Sequence, residues 1–454
     1  MKSKRLTQVL ACLIGAIALF SCKKLVEVNT PKNQLTTDKV FADSTSATAA
    51  VIGIYALYDK YINNNYNKFM GLYTDELTYT SSTQGTLDYV KSLVPATNTP
   101  NLNYWKYNYA SIYQCNDIIE QLQKSTALSS STVLDFTNEA KFLRAYAYFH
   151  LVNVYGSVPL VISTDVNVNA TIANSDSASV YKQIVRDLKD AQSNLSINYR
   201  GAGRVRANKY AATALLSKVY LWQKDWVNAE SSASAIINSS LYTPLPAPAQ
   251  AFLANSKETI LSFWTQNGFV SDASSLIPSS GAPGYFFTTS LVNAFELGDL
   301  RKSNWIKTSV VSGKTYYSPY KYKNRAANTS VPEYLIALRA GEQYLIRAEA
   351  RAQQGNISGS SGAIADLNVI RTRAGLGNYS EATDQSSVVA AIRHEKQVEL
   401  FTEWGNRFLD LKRTGGLNAA IGSFKSTWKP NAIVLPIPQN ELNTNPNLTQ
   451  NQGY

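Results

Sequence analysis

The sequence is short of the residues that most often carry chemistry. Its 454 residues include only 3 cysteines and 2 histidines. Cys12 and Cys22 fall at the start, so Cys115 stands alone in the rest of the chain. One cysteine makes neither a disulfide framework nor a thiolate metal site. Its apolar row, "YASIYQCNDII", marks it as a small buried hydrophobe. A zinc-hydrolase helix needs histidines at i and i+4, and the residue four after His394 is Val398. His150 lies between Phe149 and Leu151 and reads as a packed histidine. There is no Gly-x-Ser-x-Gly elbow, no phosphate-binding glycine loop opening a helix, and no Cys–His pairing. The formal charge of +11 is scattered, without the basic runs of a nucleic-acid surface.

What is abundant is aromatic: 28 Tyr and 7 Trp. At the start of the chain Lys2, Lys4 and Arg5 precede the apolar stretch "LTQVLACLIGAIALF". That stretch is too short to span a bilayer, which takes roughly 20 residues, and reads as an export signal over residues 1–21. It ends "LFSC", which resembles a bacterial lipobox and implies cleavage before Cys22 and acylation of that cysteine. Residues 22–40, polar and holding Pro31, read as a lipidated tether, attached to the membrane by lipid only.

From residue 41 to residue 454 the pattern is that of one mainly α domain. Helical periodicity is expected in "DSTSATAAVIGIYALYDKYI", "YWKYNYASIYQCNDIIEQL", "NEAKFLRAYAYFHLVNVYGSVPL" and "SASVYKQIVRDLKDAQSNL", with Gly156 and Pro159 ending the third. Residues 80–100 read as a loop. Helical pairs are expected at 205–240, turning at Lys224–Trp226, and at 342–375, with the small-residue pattern of tetratricopeptide-like scaffolds. Residues 243–335 lack a 3.6-residue period and read as an irregular, loop-rich lobe with short strands such as "ETILSFW" and "KTYYSPYKY".

The densest charge is in "HEKQVELFTEWGNRFLDLKRTG", from His394 to Gly415. A glycosidase needs two carboxylates facing each other across a sugar. Glu395, Glu399 and Glu403 instead recur every four residues, with Arg407 continuing the row and Leu400, Phe401, Trp404, Phe408 and Leu411 opposite. One amphipathic helix with i,i+4 charge pairing accounts for this as scaffold.

The stretches "LRAYAYFHLVNVYGSVPL", "AATALLSKVYLWQKDW", "YLIRAEARAQQGN", "ADLNVIRTRAGL", "VELFTEWGNRFLDLKRTG" and "VLPIPQNELNTNPNLTQNQGY" together resemble the SusD/RagB family of outer-membrane nutrient-binding lipoproteins of Bacteroidetes. The resemblance runs from about residue 25 to the last residue. It implies a tetratricopeptide-like helical fold with an irregular ligand-facing lobe. It also implies a SusC-like TonB-dependent outer-membrane transporter as partner, an oligosaccharide cargo captured outside the cell, and no catalysis or cofactor. Lys23 and Lys24 stand where the family often has acidic residues, and Glu395–Lys396 where it has Glu–Arg. Capture of peptide or protein fragments for the same kind of transporter is the alternative.

Pyranose rings stack on Tyr and Trp, and their hydroxyls pair with Asp, Asn, Gln or Arg. By position, the expected contacts are Asp75, Tyr79, Gln84, Asp88 and Tyr89 in the 75–90 segment, and Trp264, Asn267, Tyr285, Trp305 and Tyr317 in the irregular lobe. Trp105 and Tyr109, on a helix, are expected in the core.

Overall fold

The computed structural model describes residues 37–58, 64–266, 268–327 and 330–454. The expected signal at 1–21, the acylated Cys22 and residues 22–36 of the tether lie outside the described residues. The tether's last residues, Thr37–Val40, form one helical turn instead of irregular chain.

Ten helices of at least ten residues are described: α1 Ser44–Leu57, α2 Asn64–Tyr73, α3 Thr99–Lys124, α4 Ser130–Tyr155, α5 Ser177–Asn194, α6 Lys209–Trp222, α7 Trp226–Asn238, α8 Ala340–Gln353, α9 Ala363–Arg373 and α10 Gln385–Glu399. From α3 to α9 each packs on the next, with α10 returning onto α8, so the fold is a mainly α stack of helical pairs. Side-chain caps set many of the starts. Asn98, Ser129, Asp176, Asn208, Asp225 and Asp384 each accept a backbone N–H of their own first turn. Such a cap contributes about 1 kcal/mol. Close approach of α6, α7 and α8 rests on alanine: Ala211, Ala212, Ala214, Ala229, Ala233, Ala348 and Ala352 are all fully buried.

Helix α4 begins eight residues earlier than its periodicity suggests and is buried almost all round from Phe136 to Tyr155. It ends at Gly156, whose φ of 79° suits a residue without a Cβ. Cys115, Trp105 and His150 are buried in this core, and Tyr109 is half-buried with its hydroxyl on Pro159 O. Burial, with Lys218 nearby, holds His150 neutral by lowering its pKa to about 3.

The described residues hold eight strands in four two-stranded antiparallel pairings, three of them in or onto the irregular lobe and one, β2–β3, in the connection after α4: β1 Leu77–Tyr79, β2 Val158–Pro159, β3 Asn174–Ser175, β4 Thr259–Phe263, β5 Tyr285–Phe287, β6 Ile306–Val311, β7 Lys314–Pro319 and β8 Leu335–Arg339. β1 pairs with β5, β2 with β3, β4 with β8, and β6 with β7. The 80–100 segment is not all loop: Gln84–Val90 is helical, because Thr86 and Tyr89 bury themselves beneath it.

The charged stretch departs most from expectation. It is two helices, α10 and Asn406–Arg413, separated by a turn in which Thr402, Trp404 and Gly405 have positive φ. Its three glutamates are buried and pair with distant arginines, not along one helix face, whereas Asp410 pairs with Arg413 on its own helix. Arg301 Nη1 lies 2.6 Å from Glu395 and 3.0 Å from Glu399. Arg339 donates to both Glu399 and Glu403, Arg373 to Glu399, and Lys321 to Glu403. Burial would raise the Glu399 carboxyl, but Arg373, Arg339 and Arg301 outweigh it and hold it well below the usual range. Arg301, Lys321 and Arg339 all come from the lobe, so this cluster fastens the lobe to the helical stack.

Candidate functional site

β1 and β5 bring together residues more than two hundred apart in the chain. Their register sets Tyr79 directly opposite Tyr285. The two rings lie 4.6 Å apart at 32°, both part-exposed at the outer end of the ribbon. The inner end is anchored: Leu77 and Phe287 are buried, and Phe287 packs edge-on against Phe401. Tyr79 donates to Thr83 Oγ1 at 3.3 Å, and Lys68 of α2 sits 5.0 Å from the Tyr285 ring. Burial raises the Tyr285 phenol to about 12, so it is protonated and can donate at neutral pH.

Beside the pair, the Gln84–Val90 helix presents exposed Gln84 and half-buried Asp88. Gln84 Nε2 donates to Asp88 Oδ1 at 2.6 Å, and Asn98 holds the other oxygen at 2.9 Å. An apolar ring face with amide and carboxylate groups alongside is the chemistry that takes a sugar.

Other expected contacts sit elsewhere. Asp75 is inside the fold, both its oxygens held by Arg407 at 2.9 and 2.8 Å. Tyr89 is buried between Phe69 and Tyr73. Trp305 is wholly buried, its indole N–H on Pro248 O at 2.7 Å. None of these three is free to meet a ligand, because each satisfies a neighbour in the core. Trp264 follows β4 and is 50% exposed, the most accessible tryptophan among the large exposed hydrophobics. The loop that follows it joins the end of the lobe through Phe269 N–H to Glu333 O. Tyr317 is half-buried on β7 and packs on the core. Asn267 lies outside the described residues.

The surface also holds residues that sequence reasoning passed over. Phe286 and Tyr316 meet edge-on at 5.2 Å, joining β5 to the β6–β7 hairpin. Strand alternation places Tyr316 and Tyr317 on opposite faces, but only the pairing decides which face meets β5.

One enclosed cavity lies elsewhere and is small, about 30 Å³, room for a water or two. Glu76, Lys218, Glu342, Lys396, Asp410 and Arg413 line it. Lys218 pairs with Glu342, and Asp410 with both Lys396 and Arg413. Those pairs make it scaffold.

Comparison with known proteins agrees with this architecture. A family model described as "Starch-binding associating with outer membrane" matches residues 24–221, and the SusD family model matches residues 294–454. The chain belongs to the SusD/RagB family. A SusD-like protein of Formosa agariphila is 22% identical across 99% of this chain and 100% of its own length. A SusD superfamily protein of Bacteroides vulgatus superposes with a TM-score of 0.79 at 21% identity, over 91% of this chain and 99% of that one. A laminarin-binding SusD-like protein superposes with a TM-score of 0.77 at 25% identity, over 90% and 99%. Proteins of the family associate with the outer membrane. Among the described residues no helix is long and apolar enough to cross a membrane.

Proposed function

We propose that this chain is a lipid-anchored, non-catalytic glycan-binding protein that captures oligosaccharide at the cell surface and passes it to a SusC-like TonB-dependent transporter. The observation that carries the reading is the Tyr79–Tyr285 pair, a part-exposed ring surface with Gln84 and Asp88 beside it. Trp264 is a further exposed ring in the lobe. Two further facts support it. A relative of the same fold is a laminarin-binding protein. The carboxylates that could have served a glycosidase, Glu395, Glu399 and Glu403, are buried and committed to arginines. Capture without hydrolysis fits a cell that imports the intact oligomer. The acyl chains on Cys22 supply the membrane attachment, each buried methylene adding about 0.8 kcal/mol.

Binding measured against an oligosaccharide array and a peptide library, with product analysis of the bound sugar, tests this. Saturable binding of an oligosaccharide that is recovered intact is expected. Binding of peptides alone would replace the cargo, and hydrolysis of the sugar would make the protein an enzyme.

A further inference from the structure

The lobe bearing the ring surface is basic on its outside. Between Asp299 and Glu333 the sequence holds no carboxylate. Within that stretch the β6–β7 register pairs Lys307 with Ser318, Ser309 with Tyr316 and Val311 with Lys314, so Lys307, Lys314 and Tyr316 share one hairpin face. Tyr320 continues that face by alternation. Lys314 Nζ lies 5.0 Å from the centre of the Tyr316 ring and 5.7 Å from that of Phe286. Lys307 and Lys323 lie 5.6 and 5.1 Å from that of Tyr320. On the other side of β5, Lys68 stands over Tyr285. Each cluster of rings therefore carries ammonium groups at its edge.

Lysine stems commonly lie on rings while the head stays in water, which alone would not make a site. Here the heads also lack acidic partners. Lys307 and Lys314 are exposed and form no ion pair with any described carboxylate. Of the acids near the other two, Asp272 faces Lys68 from a buried position without forming an ion pair, and Glu333 accepts the backbone N–H groups of Lys323 and Asn324. Ammonium groups held beside ring faces, with donors to spare, suit a ligand that stacks and carries negative charge.

We propose that the glycan taken by this surface is anionic: its rings stack on the Tyr and Phe side chains while its carboxylate or sulfate groups rest on Lys68, Lys307, Lys314 and Lys323. This rests on the glycan-binding reading above and narrows it to a substrate class.

The native chain, extracted in detergent, is titrated calorimetrically with three sets of probes: oligogalacturonates, carrageenan oligosaccharides and neutral laminari-oligosaccharides. At least one acidic set should bind about tenfold or more tighter than the neutral one, a gap of about 1.4 kcal/mol. The carboxylate and sulfate arms tell which acid is read. Added salt should weaken that binding, and K307Q/K314Q should weaken it about tenfold while the melting temperature holds. Tighter binding of the neutral set, or acidic binding indifferent to K307Q/K314Q, overturns the anionic class and leaves glycan capture standing. Binding to none of the three, or only to anionic lipid vesicles, overturns both.

Discussion

Arg339 Nη1 lies 2.6 Å from Glu399 Oε1, and both side chains are sealed from water. Arg339 ends β8 and Glu399 ends α10, so this contact is where the lobe is tied to the helical stack. Removing one partner strands buried charge, which costs about 3–5 kcal/mol. Glu399→Gln should lower unfolding free energy by that order in urea. A loss under about 1 kcal/mol would mean that the remaining pairs of the cluster carry the joint without it.

Glu76 gives a pH signature. Burial, then the neighbouring Asp75, raises its carboxyl to about 8, against about 4.3 unfolded. Between those values the folded chain holds a proton that the unfolded chain has released. Stability from this group is therefore full below about pH 4.3 and is lost as pH climbs through 8. Glu76→Gln keeps the shape and removes the titration. Its melting temperature should exceed the wild type's at pH 9 and approach it at pH 5, read by calorimetry across the range. Parallel curves at all pH values would show that Glu76 does not titrate there.

The two lobe tryptophans should separate stability from binding. Trp305→Ala opens a cavity in the core and should cost about 3–5 kcal/mol. Trp264→Ala, half-exposed, should change stability by less than about 0.5 kcal/mol while weakening the oligosaccharide. Thermal melts with and without ligand distinguish them.

Membrane attachment should depend on one atom, the Cys22 sulfur. Cys22→Ser should move the protein from the detergent-extracted membrane fraction to the soluble one, followed by fractionation and immunoblot. Continued sedimentation with membranes would require another anchor.

Much of the helical scaffold could be read from the chain. The cap Asp225 stands in the turn expected at Lys224–Trp226, and alanine-rich faces foretell close pairs, although the helix capped by Asn98 starts inside the segment read as loop. The strands Thr259–Phe263 and Lys314–Pro319 were also visible as apolar or aromatic runs. Partners across long distances were not. Nothing local tells that Tyr79 faces Tyr285, or that the acids of "HEKQVELFTEWGNRFLDLKRTG" reach Arg301, Arg339 and Arg373 and not one another. Four-residue spacing suggested a single helical face, which the turn at Thr402–Gly405 breaks. Residue type alone likewise failed to sort Trp264, on the surface, from Trp305, in the core. That choice is made by the lobe's packing, and Trp305 fills a pocket against Phe252.

The central claim is that the Tyr79–Tyr285 pair binds sugar. Calorimetric titration of the native chain and of a Tyr79→Ala/Tyr285→Ala variant with the same oligosaccharide, in parallel with melts that certify the fold, tests it most directly. The variant should bind at least about tenfold more weakly while still melting in one cooperative transition. Equal affinity in the two proteins would contradict the claim.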